Sequence, residues 1–148
     1  MRKRLVVLLI LLPFCVAGAR EHESAEQLKA RFDAASNPKD RVQLALKIAE
    51  TQVDQADKLY TAGKVDEARA AVQDIVSYID KATDSATGSG KKLKDTEITV
   101  RKIAHKLADI KGTLNFEDQA PVQDAIAHLE HVRTVLLSKM FNLGKEEK

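Results

Sequence analysis

The sequence predicts an all-α fold, an antiparallel bundle of four long helices with a shorter helix ahead of them. Three observations predict it. Apolar residues recur three or four positions apart through every long segment, the spacing that gathers side chains onto one face of a helix. No segment alternates apolar and polar residues with the two-residue period of a strand. Glycine and proline, six and three in 148 residues, fall mainly at places that read as breaks or ends.

Residues 1–19 stand apart from the rest. Arg2, Lys3 and Arg4 form a basic start, residues 5–12 are only Leu, Val and Ile, and Ala17-Gly18-Ala19 places small residues ahead of Arg20. That order is the signature of a secretory signal peptide with cleavage after Ala19. The apolar run over 5–19 falls short of the roughly 20 residues that span a bilayer, so an uncleaved anchor is disfavoured. Cys15 raises a lipoprotein reading, but Phe14 stands where a small residue is required. The protein is therefore expected to be periplasmic or secreted.

Removing that segment changes the electrostatics. It holds three of the 24 basic side chains and none of the 22 acidic ones, so the apparent excess of positive charge belongs to the signal. A near-neutral mature chain gives no reason to expect nucleic-acid binding. The only cysteine leaves with the signal, so an oxidising compartment adds no disulfide and stability rests on packing. The mature chain keeps no Trp, two Tyr and three Phe. Its core is accordingly aliphatic, and stacking platforms for sugars or bases are few.

The first helix is predicted over 24–35, with Ser24 and Gln27 as a capping box and Ala25, Leu28, Phe32 and Ala35 on one face. Asn37-Pro38 ends it and starts the second helix, over 38–62, with Asn37 as the cap and Pro38 at the first position, where its missing N–H costs nothing. Val42, Ala45, Leu46, Ala49, Val53, Ala56 and Tyr60 form its stripe, and Gly63 is its C-terminal stop. The third helix is predicted over 65–86, where Val65, Ala68, Val72, Ile75, Ile79, Ala82 and Ala86 keep a heptad seam like that of a coiled coil. Abundant alanine on the second and third helices predicts a close approach, about 8 Å between axes.

Thr87-Gly88-Ser89-Gly90 reads as a turn, followed by a fourth helix to about Leu114 on a seam of Leu93, Val100, Ile103, Leu107, Ile110 and Leu114. The two seams are in phase across the turn through Ser89 and Thr96, so one kinked helix over 65–114 would also preserve them. Two interior glycines cost about 1 kcal/mol each in a helix, and a hairpin is the expectation. Residues 115–120 form the last loop. The fifth helix is predicted over 121–141, burying Val122, Ala125, Ile126, Leu129, Val132, Leu136, Leu137 and Met140. The single domain is expected to cover 20–144, and 145–148 to fray as a charged tail.

Candidate sites are sparse. Residues 56–75 resemble one tetratricopeptide-type helical hairpin through Leu59-Tyr60, Gly63 and Asp66-Glu67-Ala68. No second copy follows at a 34-residue interval, as an array would require, so an ordinary hairpin is expected. His128 and His131 stand three apart on the fifth helix, a spacing that can ligate metal. However, His131 faces away from the apolar stripe, His128 sits at its edge, and His105 is off the seam of its helix. All three are expected at the surface, with no metal, cofactor or catalytic residue assigned.

Glu50, Asp54 and Asp57 make an acidic stripe on the second helix. Residues 91–111 carry Lys91, Lys92, Lys94, Arg101, Lys102, Lys106 and Lys111 against Asp95, Glu97 and Asp109. Such charges pair across a bundle, meet an anionic partner or remain solvated. Arg133 falls inside an apolar stripe and must either snorkel to the rim or meet a buried carboxylate. The expected function is that of a non-enzymatic interaction module, an adaptor or chaperone-like binder. It would contact another envelope protein or itself, and neither nucleic acid nor a membrane interior. The alternative is a small-ligand or metal carrier using the bundle interior or the His128/His131 pair.

Overall fold

The computed structural model describes residues 23–146. The expected signal segment 1–19 and the final two residues lie outside the described residues. Five α-helices pack against one another: α1 (Ala25–Ala34), α2 (Pro38–Thr61), α3 (Val65–Ser89), α4 (Leu93–Thr113) and α5 (Gln119–Glu146), with a 3-10 turn at Phe116–Asp118. There is no strand among the described residues, and no helix among them is long and apolar enough to cross a membrane.

Local chemistry sets the first three boundaries. Ser24 Oγ accepts from the Gln27 N–H at 3.2 Å and Gln27 Oε1 accepts from the Ser24 N–H at 2.9 Å, which closes the capping box. Asn37 Oδ1 accepts from the Lys39 N–H at 2.9 Å, with Pro38 opening α2. Gly63 adopts a left-handed φ of 73°. Its N–H and that of Lys64 close back onto the carbonyls of Tyr60 and Leu59, ending α2 in the way glycine permits.

The later boundaries differ from expectation. The turn predicted over 87–90 lies further on, because α3 runs through Gly88 to Ser89. The hydroxyls of Thr83, Thr87 and Ser89 each donate to the carbonyl four residues back, so these polar side chains are satisfied on the helix itself. The reversal comes at Gly90 and Lys92, both left-handed, with φ of 67° and 64°. α5 begins at Gln119 rather than Pro121. The proline takes the third helical position, where no intrahelical N–H bond is needed. At its far end α5 continues past Phe141 and Gly144 to Glu146.

The seams meet in one core. The whole predicted stripe of α2 is buried, together with Ile48 and Gln52 outside it. α2 packs on α1, α3 and α4 at once, so one narrow stripe cannot serve three neighbours. The same holds for Ala71 and Tyr78 on α3, which are also buried. Ala45, Ala49, Ala56, Ala68 and Ala82 are fully buried, and α2 with α3 forms the most extensive helix pair, followed by α4 with α5. The α3–α5 and α2–α4 contacts join the two pairs. α1 closes one side, its Phe32 ring edge-on to Tyr78 at 5.6 Å and capped by the Arg41 guanidinium at 4.2 Å. Leu137 departs from expectation: it is exposed, like Phe141.

Candidate functional site

Long-range ion pairs fix which residues meet. His128 on α5 does not pair with His131. Its Nε2 lies 2.7 Å from Asp80 Oδ1 on α3, while His131 and His105 are exposed. His128 sits at the edge of the stripe, partly exposed, beside a carboxylate from another helix. Among the described residues, no group of three His, Cys, Asp or Glu side chains is placed to hold a metal ion. Asp80 is the only described side chain hydrogen-bonded to His128.

A groove of about 440 Å³ runs between α3 and α5 beside that pair. Val72, Val76, Pro121 and Ala125 supply its apolar lining, and Arg69, Gln73, Asp124 and His128 its polar lining. At one end Arg69 Nη2 donates to Asp118 at 3.0 Å, bringing the α2–α3 turn and the 3-10 turn to the same end of the molecule. Arg69 Nε and the Tyr60 hydroxyl are buried there without a hydrogen-bond partner. Burial pushes the Tyr60 phenol above its ordinary pKa, with nearby Arg69 opposing and Asp118 adding to the shift.

The acidic and basic stripes meet at two ion pairs. Asp54 accepts from Lys106 at 2.8 Å, and Glu50 lies 3.6 Å from Lys102. The Lys106 ammonium is raised above its usual pKa by that bond, against the opposing effect of burial. Asp57 lines a recess with Lys106 and Asp109. Arg133 Nε donates to the buried Glu97 at 3.1 Å and its Nη1 to Glu130 at 2.8 Å. Of the two roles open to Arg133, it takes the one with a buried carboxylate.

Sequence reasoning missed the two exposed aromatics. Phe116 is 91% exposed on the 3-10 turn and Phe141 is 71% exposed near the end of α5. A phenylalanine set among Asn115, Glu117 and Asp118, off every seam, was the signal available for the first. Glu97 on α4 bonds Arg133 on α5, and the buried Leu93 and the exposed Leu137 stand four residues from these partners in sequence. Lys91 and Lys92 lie in the α3–α4 turn and Lys94 on the first turn of α4.

Comparison with known proteins adds no assignment, since no family model, curated protein or solved structure matches the chain.

Proposed function

We propose that this chain is an exported antiparallel helical bundle that acts by protein–protein contact, as an adaptor or chaperone-like binder, and not by chemistry. Export is supported by the order of residues 2–19, from basic start through apolar run to small residues before Arg20. The antiparallel arrangement is supported by contact register. Gln52 meets Asp74 across α2 and α3, and Lys111 meets Gln123 while Glu97 meets Arg133 across α4 and α5. Between α4 and α5 the numbers rise on one helix as they fall on the other.

The observation that carries the interaction reading is the pair of bare phenylalanines, Phe116 and Phe141. Phenylalanine is among the residues enriched at protein–protein interfaces relative to the rest of a protein surface. Two measurements test the reading. N-terminal sequencing of the exported protein should begin at Arg20, and an intact chain confined to the cytosol would refute export. A photo-crosslinking residue at position 116 or 141 should give a discrete protein adduct in the native compartment. No adduct at either position would remove the reading's support.

The α3–α5 groove favours a second reading, a small-ligand carrier, because its lining is mainly apolar with Arg69 and His128 at hand. On that reading a bound amphipathic ligand raises the melting temperature of the native protein and not that of Val76→Trp, which fills the groove.

A further inference from the structure

We propose that the partner is a second copy of this chain, joined head to tail, with the Leu137/Phe141 end of one molecule seated on the Phe116 end of the next. This rests on the interaction reading above and names its occupant.

Two independent properties of the ends support it. The first is apolar exposure. Each end presents one bare phenylalanine, and beside Phe116 lies an open recess of about 360 Å³ bounded by Lys111, Glu117, Gln119, Ala120 and Gln123. At the opposite end α5 runs on past Leu137, which lies level with the start of α4, so Phe141 stands on a projecting helix. A projecting ring at one end and a recess at the other are shape complements.

The second property is charge. The end built from residues 57–69 and 109–124 holds seven carboxylates against four basic side chains. Asp66 is 99% exposed there. The end built from residues 33–41, 81–95 and 137–145 holds eight basic side chains against four carboxylates. Lys91, Lys94 and Lys139 are exposed there, and Lys92 holds Asp95 at 2.9 Å. A molecule near neutral overall is thus positive at one end and negative at the other.

Charge then selects the mode of contact. A two-fold contact pairs a surface with itself, which would set the lysines around Phe141 against their own copies. A head-to-tail contact sets them against Glu117, Asp124 and Asp66 instead, so opposite potentials meet. An anionic membrane would satisfy the lysine-rich end alone and leave Phe116 and its acidic surroundings without a role.

Sedimentation of the purified protein tests this. The weight-average mass should rise with concentration at low salt and fall back toward the monomer at high salt. Phe116→Ser and Phe141→Ser should each be monomeric, with melting temperatures unchanged because both rings are exposed. An equimolar mixture of the two variants retains one intact junction and should stop at a dimer. A monomer at all concentrations would overturn the proposal, as would Phe116→Ser associating as well as the native protein, or a mixture that forms no dimer. Binding to vesicles rich in anionic lipid, lost in Phe141→Ser without any self-association, would assign that end to a membrane surface. A cross-link from position 141 to a different protein would leave the interaction reading standing and remove this one.

Discussion

Arg133 shows how one residue in an apolar stripe is accommodated. Its guanidinium meets the Glu97 carboxylate, 11% exposed, and the exposed Glu130. Removing the cation strands a buried charge. Arg133→Ala is expected to destabilise by about 1–3 kcal/mol, at the modest end for such pairs because Arg133 keeps some contact with water. The double variant Glu97→Gln/Arg133→Met should recover most of the loss in urea unfolding. Tyr60 is the converse case, a buried hydroxyl without a partner. Tyr60→Phe is expected to be neutral or stabilising by about 1 kcal/mol at neutral pH.

The shifted groups give the alkaline limb a definite sign. Burial holds the phenols of Tyr60 and Tyr78 above the ordinary 10.0, and the bond to Asp74 holds Lys29 above 10.5. In each case the fold favours the protonated form. That stability is fully present below the ordinary values and is lost as pH rises through the raised ones. An alkaline titration followed by circular dichroism should therefore show stability falling above about pH 10. The fall should be shallower in Tyr60→Phe.

At the scale of the element, the α3–α4 connection separates two glycines that look alike in sequence. Gly88 is helical, and a Cβ added there meets nothing within 4 Å. Gly90 is left-handed. Gly88→Ala is expected to stabilise by about 0.5–1 kcal/mol through reduced chain entropy. Gly90→Ala should destabilise by about 1–2 kcal/mol, because a Cβ in the left-handed region crowds the following carbonyl. Thermal melts of the two variants should move in opposite directions. The starts of α1 and α2 were legible because Ser24, Gln27 and Asn37 act within three residues of themselves. The end of α3 was not, because its hydroxyls are satisfied on the helix and the seam continues through Ala86 into the core.

At the scale of the whole molecule, α3–α5 and α2–α4 contacts knit the two helix pairs around one cluster of buried side chains. Unfolding is expected to be a single transition, with helix content and tyrosine fluorescence changing together. Ile75→Ala, which empties a fully buried position, should cost about 2–5 kcal/mol. Leu137→Ala, at an exposed position, should stay within about 0.5 kcal/mol. Sequence periodicity placed Leu137 on the same stripe as Leu136. What separates them is the face each takes on α5: Leu136 points into the core, as does the partly buried Met140 one turn on, whereas Leu137 lies about 100° further round the helix.

By itself the sequence determined the helical class, the places where capping residues begin and end the first helices, and most of the buried stripe. These follow from interactions spanning a few residues and from the 3.6-residue period. Only the tertiary structure decided that His128 belongs to Asp80 and Arg133 to Glu97, and that Phe116 and Phe141 stay in water at opposite ends. Each depends on how helices distant in sequence are set in length and register against one another, and a one-dimensional period carries no record of that.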